Sequence, residues 1–283
     1  MSRTGIAILI GSPVAGGIAL LRLAPSWRSA LLTGLAALVA LLILLTTRHL
    51  QITQSRQLRR WTHLGPPEHG KVRRRAHDYY LFVLGSGGHT KEMLMMMDDG
   101  SCDFAGLHRR YLISSGDKMS ENHLEDYEAE LRALCEKKGT APGTYDKRTV
   151  TRARRVHQPL WSTPFSALLS VVDIFPILLS PPKHLTARRV QFPSQIFSNG
   201  PATGFFVALA VHVLKMFYLV PLDRMRFIYI ESWARISTLS LTGKLLFYTG
   251  LADVLLVQHE EVAAAYGIQN AGPMVFNSRR NDG

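Results

Sequence analysis

Cysteine is almost missing from this sequence: Cys102 and Cys135 are the only two in 283 residues, and no Cys-x-x-Cys pair occurs. That leaves no basis for a disulfide framework or a zinc site and fits a reducing compartment, with both residues read as small buried side chains. Acid is scarce as well, with 21 Asp+Glu against 33 Lys+Arg and a formal net charge of +12. Such a surplus calls for a polyanionic partner, either nucleic acid or an anionic membrane surface. There is no Gly-x-Ser-x-Gly elbow and no His/Cys cluster at metal-ligand spacing. Serine-hydrolase and metallohydrolase chemistry are therefore unsupported, and neither a metal nor a cofactor is expected. Internal repeats and low-complexity tracts are absent too.

Long apolar runs, by contrast, are present. Residues 30–47, "ALLTGLAALVALLILLTT", carry no charge, and with their flanks they match the roughly 20 residues that a bilayer core requires. Trp27 and Arg28 stand at the front edge, where interfacial anchors belong. An earlier run, 5–21, is shorter and richer in glycine, which leaves a second span, a signal-type segment or a hairpin partner open. Behind the main run come Arg48, Arg56, Arg59, Arg60, Lys71, Arg73, Arg74 and Arg75, opposed by Glu68 alone. Positive charge flanks the cytosolic side of a span, so everything after Thr47 is expected in the cytosol, against a cleaved secretory signal. Trp61 is the lone aromatic among these cations, which suits single-stranded nucleic acid poorly and an electrostatic collar on lipid headgroups well. The expected layout is a membrane anchor over 1–50, a basic juxtamembrane linker over 51–77, and one folded domain over 78–283.

From residue 78 the pattern becomes α/β. "YYLFVL", "RRYLISS", "SQIFSNG", "RFIYIES" and "DVLLVQ" read as strands ending in glycine or polar residues. "TKEMLMMMDD", "SENHLEDYEAELRALCEKKG" and an apolar stretch over 165–179 read as helices between them. Strands alternating with helices imply a mainly parallel sheet covered on both faces. Residues 139–155, with "APGTYDKRTVTRARR", read as a basic loop. Residues 161–179, interrupted by Pro164 and Pro176, read as a broken peripheral element that touches the membrane. Residues 203–222 are nearly long enough for a second span, but His212, Lys215 and the preceding "SNGPA" favour a buried helix against the sheet.

The stretch "GSGGHT" joins a strand to a helix, the setting in which backbone N–H groups and a helix N-terminus receive phosphate. Gly85, Gly87 and Gly88 clear side chains from an approaching anion. The Lys-Ser/Thr ending of a Walker A loop is missing, and the third glycine is misplaced for a dinucleotide fingerprint. A phosphate site and a merely tight turn both remain open on spacing. His89 adds a titratable group at the helix start, where it could also serve as a capping or packed side chain. Other strand ends bring Ser114, Ser115, Asp117, Asn199, Gly200, Glu231 and Ser232. These are positions for ligands in open α/β sheets and equally for helix caps.

Five segments in order, "LFVLGSGGHTKEML", "RRYLISSGDKMS", "RARRVHQ", "FSNGPATG" and "IYIESWARISTLSLTGKLLFYTGLADVLLVQ", together resemble the family of membrane-anchoring subunits of the eukaryotic UDP-N-acetylglucosamine transferase. That enzyme adds the second N-acetylglucosamine to dolichol pyrophosphate in asparagine-linked glycosylation. The resemblance covers roughly residues 79–258. The family is similar to the N-terminal, acceptor-side half of the bacterial family 28 glycosyltransferase, a two-domain GT-B enzyme. The resemblance therefore implies one Rossmann-like domain, half of a GT-B fold, behind a transmembrane helix. It implies a soluble partner subunit that binds most of the UDP-sugar, a dolichol-pyrophosphate-linked acceptor, and no nucleic acid. Its place would be the endoplasmic reticulum membrane and contiguous nuclear envelope, as a single-pass protein with its domain on the cytosolic face. The chain departs from the family pattern at Ala202 in place of the second glycine of Gly-Pro-Gly, at His259 in place of a tryptophan, and in its polar end "NSRRNDG".

The implied chemistry is inverting sugar transfer by a subunit expected to be inactive alone, since a two-domain transferase would need a second glycine loop and another set of strands, and none follows Gln258. Gly85, Ser86, Gly87, Gly88, His89, Thr90, Asn199 and Gly200 are the expected acceptor pyrophosphate contacts. His89, Asp117 and Glu231 are the candidate general bases. The competing reading is a membrane scaffold with a vestigial site that only binds the catalytic subunit.

Overall fold

The computed structural model describes residues 26–62, 78–98, 104–152, 163–182, 190–200 and 202–277. The candidate second run 5–21, Cys102, and residues 153–155 of the basic segment lie outside these.

Two units make up the chain, 1–55 and 56–283. The first is dominated by helix α1, Trp27–Thr62, which continues into the second unit. Its 36 residues rise about 1.5 Å each, giving roughly 54 Å. Leu31, Leu32, Leu35, Leu38 and Leu42 are all more than half exposed, and none of the helix's most apolar eighteen-residue stretch is buried. Among the described residues this is the one helix long and apolar enough to cross a membrane. It runs past the expected span: residues 51–62, read as the start of a linker, are helical. No glycine or proline interrupts the chain between Gly34 and Gly65, so nothing stops the helix where its apolar run ends.

The second unit is an α/β sandwich. Its elements alternate as β1 Asp78–Val83, α2 Gly88–Met97, β2 Leu107–Ser114, α3 Lys118–Lys138, β3 Thr144–Val150, α4 Thr163–Leu179, β4 Gln195–Ser198, α5 Ala202–Met216, β5 Arg226–Ile230, α6 Leu241–Thr249, β6 Val254–Val257, α7 Glu260–Tyr266 and β7 Gln269–Asn270, then a 3₁₀ turn, Met274–Asn277. All strand pairs are parallel, in the order β3-β2-β1-β4-β5-β6-β7. This is the Rossmann-like order extended by one short strand. The order reverses between β1 and β4, where ligands of such sheets bind.

Alternation along β1 divides the core. Leu81 and Val83 face one cluster with Val207, Val211 and Leu214 of α5, Ile174 and Leu178 of α4, and Leu246 of α6. Phe82 and Leu84 face the other, with Met93 and Leu94 of α2 and Leu124, Tyr127 and Leu131 of α3. The helix expected within 203–222 is thus a core helix. His212 and Lys215 are buried on it, and Lys215 Nζ donates to the Met225 carbonyl at 3.0 Å.

Two expectations need correction. Residues 139–155 are not a loop throughout: Thr144–Val150 form β3, paired along its length with β2. The strand is an exposed sheet edge with little apolar patterning. It is held instead by ion pairing, since Asp146 accepts two hydrogen bonds from the buried Arg110 guanidinium, each 2.9 Å. Nor is α4 broken: it is continuous from Thr163 to Leu179 with Pro176 inside it, and Ile174 and Leu178 belong to the core. Pro164 stands in the first turn, where a missing N–H costs nothing, and burial of the inner face carries the helix across Pro176.

Candidate functional site

The glycine loop hangs between the end of β1 and the start of α2. Leu84 N–H extends the ladder to the Leu112 carbonyl at 2.9 Å. Beyond it the chain turns at Gly87, whose φ of 56° and ψ of −110° match the first central position of a type II′ turn, a conformation for glycine. No side chain caps the start of α2. The Gly88 N–H therefore has no side-chain acceptor, the arrangement that receives anions, while the His89 N–H donates to the Ser86 carbonyl at 3.4 Å. Ser86 and Gly88 are exposed, Gly87 and His89 partly so, and Gly85 is buried.

The inner side of the loop is fastened down. Thr90 Oγ1 and Ser120 Oγ both bond the Gly85 carbonyl, the latter at 2.9 Å, and lie 2.8 Å from each other. Both residues are fully buried. The Thr90 hydroxyl therefore shapes the loop from beneath. Gly200 serves a similar end: a Cβ there would lie 3.2 Å from Gly85 Cα, so glycine lets the β4–α5 loop pack on the β1–α2 loop. Asn199, buried beside it, donates from Nδ2 to the His89 carbonyl at 2.9 Å. Its Oδ1 is buried without a hydrogen-bond partner.

The three candidate bases differ sharply in setting. His89 keeps 38% side-chain exposure and lines a cleft of about 460 Å³ with Gly88, Glu92, Ser232 and Trp233 among its walls. Asp117 is 7% exposed and caps α3, its carboxylate accepting from Ser120 N–H at 3.2 Å and Ser120 Oγ at 2.8 Å. Glu231 is 1% exposed. Its Oε2 accepts from Ser240 N–H (3.0 Å) and Oγ (3.1 Å), its Oε1 from Ser232 N–H (3.2 Å). A Cβ at Gly243 would stand 2.1 Å from Oε2. The run "ESWARISTLSLTG" is thus a folded clamp: Glu231 holds Ser240, and Ser240 caps α6 through Gly243 N–H at 3.0 Å. The sheet brings His89, Asn199 and Gly200 together at its switch point, whereas Asp117 and Glu231 are committed to helix starts.

Sequence reasoning missed the group that organises this cleft. Glu92, buried on α2, accepts from the Trp233 N–H at 2.5 Å, Gln258 Nε2 at 3.1 Å and Ser232 Oγ at 2.9 Å, and lies 3.7 Å from His89 Nδ1. Burial pushes its carboxyl up, but His89, the Trp233 N–H and the Ser232 hydroxyl outweigh burial and hold it below the usual carboxylate range. The available signal was an acid three residues after the histidine in an otherwise methionine-rich helix, one turn away on the same face. His259 packs on Trp233 in a tilted pair with ring centroids 4.1 Å apart and lies 2.7 Å, through Nε2, from the Trp233 carbonyl.

Comparison with known proteins places the chain in a family. The family described as "Oligosaccharide biosynthesis protein Alg14 like" matches residues 80–272, from β1 through the glycine loop to just beyond β7. The Mus musculus UDP-N-acetylglucosamine transferase subunit ALG14 is 32% identical over 208 residues, covering 74% of this chain and 86% of its own. The Homo sapiens subunit is 33% identical over 186 residues, 66% of this chain and 77% of its own. The Schizosaccharomyces pombe subunit is 29% identical over 235 residues, 83% and 93% respectively. With its sheet order, glycine loop and strand-end motifs all inside the matched span, the chain belongs to the Alg14-like family of oligosaccharide biosynthesis proteins.

Proposed function

We propose that this chain is the membrane-borne, acceptor-side subunit of a UDP-N-acetylglucosamine transferase that extends N-acetylglucosaminyl-pyrophosphoryl-dolichol. The relatives named above are UDP-N-acetylglucosamine transferase subunits. In this reading α1 anchors the chain in the endoplasmic reticulum membrane and nuclear envelope as a single span. The basic collar keeps the Rossmann-like domain cytosolic, where it recruits a soluble catalytic subunit that binds most of the UDP-sugar.

One observation carries the site assignment: an uncapped helix start, exposed at Ser86 and Gly88, opens beside a half-exposed histidine at the sheet's switch point. The backbone N–H of Gly88, at the exposed turn, would hold the acceptor pyrophosphate, with Asn199 and Gly200 fixing the floor. The acceptor hydroxyl then attacks the donor's anomeric carbon. The new carbon–oxygen bond forms as the bond to the UDP phosphate breaks, and UDP leaves with the electron pair. His89 Nε2 takes the hydroxyl proton, a contribution of about 10²–10⁴-fold.

The test is a transferase assay on purified protein with UDP-N-acetylglucosamine and a short-chain lipid pyrophosphate acceptor. The protein alone should be inactive, and turnover should appear when the cognate soluble subunit is added. Robust turnover by the chain alone, with the partner rigorously excluded, would overturn the subunit reading.

A further inference from the structure

Glu92 stands one turn beyond His89 on α2, and its carboxylate is where the start of that helix meets the ends of two strands. Oε1 bonds the Trp233 N–H after β5 and Gln258 Nε2 after β6, and Oε2 bonds Ser232 Oγ. Oε2 also lies 3.7 Å from His89 Nδ1, ion-pair distance and too long for a hydrogen bond. That Nδ1 is buried and makes no hydrogen bond, although the side chain as a whole keeps 38% exposure. The ring therefore presents its Nδ1 edge to the carboxylate and its remaining edge to the cleft.

We infer that Glu92 is a positioning residue for His89: its carboxylate draws the ring proton to Nδ1 and leaves Nε2 as the open acceptor facing the cleft. A neutral imidazole carries one N–H, and the hydrogen bond made at one nitrogen decides the state of the other. A carboxylate beside Nδ1 thus selects the tautomer that can take a proton at Nε2. The Nδ1 contact is long in the free protein and shortens as the ring settles against substrate, as such bonds do on complex formation. When the acceptor hydroxyl gives its proton to Nε2, the imidazolium keeps Nδ1–H against the carboxylate, and Glu92 stays ionised throughout. The inference rests on the reading of His89 as the base.

Few other charges compete at the ring. Among the described residues lining the cleft, Lys91 is the only further titratable side chain, and it belongs to α2 itself. The loop after β5 contributes Ser232, Trp233 and Ala234, and the 3₁₀ turn contributes Val275. Asn199, from the β4 end, meets the His89 backbone and carries no charge. Glu92 is also poorly placed to be a base itself, since it is buried and accepts three hydrogen bonds.

Two measurements decide the matter. In the full-length parent protein, ¹⁵N-histidine spectra report the tautomer, with the His89 signals identified by their loss in His89→Ala. The Nδ1–H form is expected for the neutral ring, and the Nε2–H form would overturn the inference. In the assembled complex, Glu92→Gln should lower kcat about ten- to a hundredfold, the worth of one charge-assisted hydrogen bond, with KM little changed. The acidic limb of its kcat profile should move to lower pH, because the carboxylate no longer favours the imidazolium. In a His89→Ala background the same change should cost nothing more. An unmoved limb, or the same loss without His89, would make Glu92 a packing residue and sink the inference. Normal turnover by Glu92→Gln beside an inactive His89→Ala would refute the positioning role and leave the base standing. Full turnover by His89→Ala would remove both. Should Glu92→Gln fail to assemble, the tautomer of the parent decides alone.

Discussion

Gly87 and Gly88 are adjacent, and replacing each by alanine asks a different question. At Gly87 the backbone itself needs glycine, with φ 56° and ψ −110°, so Gly87→Ala should cost about 1–3 kcal/mol of stability through strain. The added methyl meets only Met119 Sδ at 3.4 Å, an ordinary contact, so strain and not crowding sets that cost. At Gly88 the chain is already helical and a Cβ would meet nothing within 4 Å. Gly88→Ala should therefore leave stability unchanged or raise it by up to about 1 kcal/mol, the helix preference of alanine over glycine. That methyl, however, stands at the mouth of the uncapped helix start, where a pyrophosphate oxygen would approach. Losing one charge-assisted hydrogen bond there costs about 1.5–3 kcal/mol, roughly ten- to a hundredfold in turnover or acceptor KM, and Gly88→Val should lose more. Thermal melting, partner co-purification and turnover on a short-chain acceptor, all on one preparation, give the comparison. A Gly88→Val protein that melts, assembles and turns over like the parent would refute anion binding at this loop.

Other outcomes follow from the same geometry. Asp146→Asn leaves the buried Arg110 without its carboxylate and should cost about 3 kcal/mol in a melting experiment, the low end for a broken buried pair because Asp146 retains 19% exposure. Burial raises the Asp146 carboxyl, but hydrogen bonds from His108 and Arg110, with their charges, hold it well below the usual range. Its contribution should then be complete above the unfolded value, about pH 3.9, and lost as pH falls below that, so the parent-to-mutant gap in stability narrows in acid. Gly243→Ala drives a methyl into the Glu231 carboxylate and should lower melting temperature, whereas Gly250→Ala meets open space and pays only for its φ of 62°. A glycosylation tag placed after Gly283 should remain unmodified in cells if the domain faces the cytosol as proposed, and modification would reverse the orientation.

Strands with a continuous apolar signal, such as "YYLFVL" and "DVLLVQ", were legible because both faces of a parallel sheet are covered. β3 was not legible, because an edge strand held by Asp146–Arg110 and His108–Thr144 bonds carries no apolar pattern. The reach of α1 was missed for the opposite reason: charge marked where the membrane run ends, but not where the helix ends. At the site, the glycine loop and His89 were visible as a local motif. Asp117 and Glu231 were equally visible, yet a carboxylate at a strand end looks the same in sequence whether it caps a helix or faces a ligand. The spacing from His89 to Glu92 was there to be read, but the acid's hold on Ser232, Trp233 and Gln258, about 140 to 166 residues away, was not.

Acceptor binding by the purified chain in the absence of any partner tests the acceptor-side assignment most directly. Isothermal titration of the detergent-solubilised protein with a short-chain N-acetylglucosaminyl pyrophosphoryl lipid should show saturable binding, competed by inorganic pyrophosphate and weakened in Gly88→Val. No binding by a folded protein that still recruits the catalytic subunit and supports turnover would contradict it, and would make this chain a scaffold whose glycine loop holds nothing.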